Sequence, residues 1–132
     1  MTEIKKLTKI SLVVLGIITF LYGMLTTFLL DIFLTPMTGW INPLHPRLFG
    51  ALCFMYTIFV VIALRQNEWE KIKLLFAFMF GSYFMVIPTE LIVIVLVFPT
   101  LSAAAISQVI LDFIIESSLL ILGIISYIKQ ER

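Results

Sequence analysis

Apolar residues fill this chain in four long blocks, separated by short polar or proline-containing stretches. The blocks are residues 7–30, 47–64, 72–98 and 101–128. None shows the period-two alternation that marks a barrel strand. A helix needs about 20 apolar residues to cross a hydrocarbon core of ~30 Å, and each block reaches or approaches that length. Lipid offers the backbone no hydrogen bonds, so helices that pair their own N–H and C=O groups are the expected form. The pattern therefore predicts an all-α integral membrane protein, an up-down four-helix bundle forming one domain over residues 1–132. The bilayer is its first partner.

Composition agrees with lipid as the solvent. Apolar residues make up 61% of the chain and charged residues 13%, with a mean hydropathy of +1.14. A soluble domain of 132 residues has too little interior to hide that much apolar surface. The first block follows Lys5, Lys6 and Lys9, as the core of a secretory signal would. It is longer than such a core, and no small-x-small cleavage site follows Leu30, so it reads as a retained helix. No lipidation motif accompanies it.

Charge then sets orientation. With four spans, the amino terminus, the middle loop and the carboxyl terminus share one side. That side carries Lys5, Lys6, Lys9, Arg65, Lys71, Lys73, Lys129 and Arg132, and the other carries Arg47 alone. The bias predicts both termini in the cytoplasm and the cytoplasmic (plasma) membrane as the location. Residues 65–71 form a short inner turn, with Trp69 expected at the membrane interface. The outer loop, residues 31–46, holds Pro36, Gly39, Pro43 and Pro46 beside Ile32, Phe33, Leu34 and Trp40, and is expected to lie along the outer surface.

Several function classes drop out. A net charge of +1 without a basic, aromatic-interleaved patch points away from nucleic acid. One cysteine, Cys53, allows no intrachain disulfide and no redox pair. One histidine, His45, rules out bis-histidine haem ligation within the chain and a His-rich metal site. Nothing ties His45 to Cys53 as base and nucleophile, and there is no phosphate-cradling glycine loop. No catalytic residue, metal or cofactor is expected, and the balance leans away from an enzyme.

What stands out instead is a set of acids in oily surroundings. Glu90, Asp112 and Glu116 lie within the third and fourth blocks. An ionisable group at that depth is costly, and it marks a functional site by default. Asp112 and Glu116 share a helix face, and Gln108 extends the stripe by one turn. Folding the last two blocks about a turn near Leu101 sets Glu90 level with Asp112 in the outer half, with Glu116 one turn deeper. Three such carboxyls in a low dielectric are not all ionised together; they share protons and titrate as a coupled set. The plainer reading is structural: protonated acids as interhelical glue, or docking of a basic residue from a partner subunit.

Other residues fill in around this cluster. Arg47 and Asp31 face each other at the outer mouth, as a surface bridge or with Arg47 turned inward toward Glu90 or Asp112. Tyr83, seven residues before Glu90, is a candidate partner for the acids, as is Tyr22. His45 sits between prolines and reads as structural, with pH sensing as the sharper alternative. Pro88 frees the carbonyl of Phe84, so a kink is expected there. Gly16, Thr19, Gly23 and Thr26, then Gly50, Cys53 and Thr57, then Ala77 and Gly81, read as close-packing surfaces.

The run Pro46, Arg47, Leu48, Phe49, Gly50, Ala51, Leu52 follows a proline-containing outer loop. In its Arg-x-x-Gly opening of the second helix, Arg47 to Gly50, the chain resembles DoxX-like small membrane proteins. The resemblance implies a four-helix bundle and no activity. Small multidrug transporters are less similar, because their essential glutamate lies in the first helix, where this chain has none.

Two functions follow as expectations. In the first, the chain is a binding or accessory component with an outer-half pocket of Glu90, Asp112 and Glu116, supported by Gln108 and Tyr83, with Arg47 and Asp31 at its mouth. In the second, the same acids exchange protons for a small cationic or polar ligand in a transporter that works as a homo-oligomer. A membrane partner subunit is the natural companion of the first.

Overall fold

The structure is a computed structural model of the chain and describes residues 2–34, 44–97 and 100–132. Every regular element among them is helical: α1 (Lys6–Thr27), a π-helical turn (Leu30–Leu34), α2 (Leu44–Leu64), α3 (Trp69–Gly81), α4 (Tyr83–Val97) and α5 (Ala103–Glu131). Four stretches are long and apolar enough to cross a membrane: Lys6–Thr27, Leu44–Leu64, Trp69–Leu96 and Ala103–Glu131. The third of these joins α3 and α4. Pro36, Gly39, Trp40 and Pro43 of the outer loop, and Pro99 of the last turn, lie outside the described residues.

Helix ends differ from the apolar blocks for local reasons. Helix α2 starts at Leu44, ahead of Arg47, because Pro46 falls in its first turn, where a missing N–H costs nothing. His45 is thus a helical, exposed residue. Helix α5 starts at Ala103 because Ser102 caps it, its side chain accepting from the Ala105 amide at 3.2 Å. Beyond α1, the Leu29 amide reaches the Met24 carbonyl five residues back, which opens the wider π geometry.

The residue before α4, Ser82, keeps a right-handed helical backbone, and its amide donates to the Phe78 carbonyl at 3.0 Å. Pro88 lies inside α4, and α3 meets α4 at Ser82. Gly81 weakens the helix there, and the Ser82 hydroxyl donates to the Met79 carbonyl at 2.9 Å. Most other hydroxyls in these apolar helices likewise satisfy themselves on the preceding turn. Ser11, Thr19, Thr26, Thr57, Thr89, Ser107 and Ser118 each donate to a carbonyl four residues back.

The chain divides into two compact units. One covers residues 12–66, the larger part of α1 with α2. Its two helices run antiparallel along a seam of small residues. A Cβ on Gly16 would lie 2.9 Å from Val60, one on Gly23 3.0 Å from the Phe54 ring, and one on Gly50 would strike the Thr26 and Thr27 hydroxyls. Between these contacts the Thr19 and Thr57 hydroxyls meet at 3.0 Å. The small faces of both helices thus let the backbones approach closely.

Substitution of Gly50 tests the seam. Gly50→Ala is expected to destabilise the protein by about 1–3 kcal/mol through overpacking. Gly81→Ala is the control: a Cβ there meets nothing within 4 Å. It should be neutral or stabilising by up to about 1 kcal/mol through helix propensity. Thermal unfolding in detergent micelles separates the two.

The second unit joins residues 1–11 to 67–132. Its buried residues include Ile4, Trp69, Ile72, Phe76, Met79, Phe80 and Leu119. Trp69 is 1% exposed and is a core residue of this unit. Its ring packs edge-on against Phe76 and Tyr127, and its indole N–H donates to Glu131. The Ala77–Gly81 pair does not receive a helix; the close approach in this unit is at Gly123, where a Cβ would strike the Phe80 ring.

Candidate functional site

Helices α4 and α5 pack together within the second unit and carry the three acids. Each acid is half-buried. The Glu90 and Glu116 carboxyls are close neighbours across α4 and α5, with Asp112 near both. Glu90 therefore reaches past the level of Asp112 to the deeper acid. The reason is the tilt of Cα–Cβ bonds toward the amino end of a helix. In an antiparallel pair the two tilts oppose. Glu90 leans toward the α3–α4 junction, Glu116 leans toward the α4–α5 turn, and the two long side chains converge.

Asp112 has its own neighbour. The Gln108 amide donates to Asp112 Oδ1 at 2.9 Å, across one turn of α5. This orients the Asp112 carboxyl along the helix face it shares with Glu116. The second oxygen of Glu90 and that of Glu116, Oε2 in each case, are buried and have no hydrogen-bond partner among the described residues. A buried carboxyl oxygen without a partner costs free energy, so the pair has unspent capacity for a proton or a donor. Two carboxyls in contact hold a proton between them more readily than two full charges.

The remaining sequence candidates fall elsewhere. Arg47 donates to Asp31 Oδ2 at 3.1 Å, with both side chains well exposed, within the unit of residues 12–66. An exposed pair of this kind contributes little stability. Tyr83 opens α4, two helical turns before Glu90, and is half-buried. Among the described residues no three His, Cys, Asp or Glu side chains gather as a metal centre.

A second polar constellation was not anticipated from the sequence. At the far end of α5, Gln130 is buried and bonded in three directions. Its Oε1 accepts from the Lys5 amide at 2.7 Å and from the Thr8 hydroxyl at 2.9 Å, while its Nε2 donates to the Glu3 carbonyl at 2.9 Å. The Trp69 amide donates to the Thr2 carbonyl at 2.8 Å, and Lys73 pairs with Glu131 at 2.8 Å. Amide and carboxylate side chains in the last turn of an apolar helix were the available signal.

Comparison with protein-family models, curated proteins and solved structures finds no match to this chain. What the fold defines by itself is a class: an all-helical chain with four apolar helices long enough to cross a membrane.

Proposed function

We propose that this is a four-span protein of the plasma membrane, with both termini in the cytoplasm, that binds a proton or a small organic cation at Glu90, Glu116 and Asp112. The supporting observation is the meeting of the Glu90 and Glu116 carboxyls across α4 and α5, with a buried, unpartnered oxygen on each. A proton shared by this pair is displaced when a cation takes its place, so ligand binding and proton release are linked. A binding or accessory component needs only that linkage. The likeness of Arg47 and Gly50 to DoxX-like proteins supports the four-helix reading and adds no activity. A proton-coupled transporter, working as an oligomer, is the second reading; it is favoured by the position of Pro88 two residues before Glu90.

Proton release on adding tetraphenylphosphonium to detergent-solubilised protein tests the proposal. Wild type is expected to release protons saturably, and Glu116→Gln to release none. Asp112→Asn is expected to weaken the response without abolishing it. Equal release by wild type and Glu116→Gln would remove the acids from the site. Counterflow of the same cation against a proton gradient in vesicles then separates a transporter from an accessory protein.

A further inference from the structure

Helices α3, α4 and α5 enclose an open apolar groove of about 240 Å³ on the surface of the second unit. None of the three acids lines it. One wall is Ala77 and Phe84; the facing wall is Leu120, Ile124 and Tyr127. Gly81 is the floor, with nothing within 4 Å of the place a Cβ would occupy. From Leu120 to Ile128 the groove follows α5 for roughly 12 Å, close to the ~15 Å depth of one hydrocarbon leaflet.

The end of the groove toward the α3 amino terminus is charged. Lys73 stands one turn before Ala77 on the same helix face, and its ammonium lies 5.8 Å from the centre of the Tyr127 ring. Glu131 pairs with this lysine at 2.8 Å, and both side chains remain about one-third exposed, 35% and 37%. An apolar slot one leaflet long, closed by a cation and an anion side by side, complements one kind of molecule. We propose that the groove binds a zwitterionic phospholipid, with one acyl chain along Gly81 and Ala77, its phosphate on Lys73 and its ammonium on Glu131. A purely anionic headgroup would find the Lys73 charge already matched by Glu131. The narrow Gly81 floor fits a chain of methylenes, while a helix of about 10–12 Å diameter would stand off it.

This inference rests on the membrane-spanning reading, and the test separates the two. Retention in the membrane fraction after alkaline carbonate washing checks the reading itself. For the groove, Trp69 is a built-in reporter, because it packs on Phe76 and Tyr127, both of which line the slot. In a Trp40→Phe background Trp69 is the sole tryptophan. Phosphatidylethanolamine brominated on its acyl chain is titrated into micelles of the protein. Saturable quenching is expected, and Gly81→Leu, which fills open space and leaves the fold intact by circular dichroism, should weaken it at least about tenfold. Ala77→Leu on the same wall should do likewise, and Lys73→Ala should weaken it less. Brominated phosphatidylglycerol should bind more weakly than phosphatidylethanolamine. Quenching that rises only linearly, that Gly81→Leu leaves unchanged, or that phosphatidylglycerol matches, overturns the proposal. So does a Gly81→Leu protein whose only change is loss of a dimer in light scattering, which would give the groove to a second copy of the chain.

Discussion

Replacing Trp69 by alanine is expected to destabilise the protein by about 3–5 kcal/mol, the usual cost of removing a buried indole. The ring is 1% exposed and lies edge-on to Phe76 at 5.4 Å and to Tyr127 at 5.6 Å between ring centres. Its loss opens a void at the base of α3 that rigid helices close only in part. It also takes a hydrogen bond from Glu131, which keeps Lys73 as its partner. The damage is therefore mainly one of packing. Trp69→Phe keeps most of the ring contact and should recover the larger share of the loss. Urea or thermal unfolding of the solubilised protein, followed by circular dichroism, measures both. Equal destabilisation by Phe and Ala would place the weight on the indole N–H instead.

Gln130→Leu is the second large effect, expected at about 1–3 kcal/mol. Leucine fills the same space, yet the Lys5 amide, the Thr8 hydroxyl and the Glu3 carbonyl each lose a partner. Leaving a buried polar group unpaired costs about 1–3 kcal/mol; that cost falls mainly on the buried Thr8 hydroxyl, since the Lys5 and Glu3 backbone groups are part-exposed and water replaces part of what they lose. The expected signature is local as well as global. Hydrogen exchange at the Lys5 amide and at its neighbours should accelerate before the helices of the core respond. Unchanged exchange there would mean the amino-terminal segment is held by its backbone bonds to the inner turn, Trp69 amide to Thr2 carbonyl and Ile4 amide to Asn67 carbonyl.

Much of this protein is legible in its residue pattern, and the exceptions have physical causes. Unbroken apolar runs pointed to long helices, and four apolar helices of membrane-crossing length are present among the described residues. The small-residue faces of α1 and α2 were readable as packing surfaces, since glycine and threonine in apolar helices mark close approach, and the Gly50 and Thr19 contacts lie there. Ala77 and Gly81 carry the same signature and meet no helix, because a small-residue pair says where backbones can approach and not that one does. Pro88 lies inside α4, and the boundary between α3 and α4 falls at Ser82. Counting along the turn paired Glu90 with Asp112; its nearness to Glu116 depends on side-chain tilt, which counting omits. Gln130 escaped notice altogether. Nothing in a lone glutamine near a helix end reveals that two backbone groups and a hydroxyl from the start of the chain converge on it.

That convergence has a consequence for biosynthesis. The Thr8–Gln130 bond joins positions 122 residues apart. The first helix leaves the ribosome early, but its partner emerges only after every later span has been made. Until then the Lys5 amide and the Thr8 hydroxyl have no glutamine to meet. A chain stalled before the end of α5 would lack that bond, and its leading segment would exchange backbone hydrogens faster than in the folded protein.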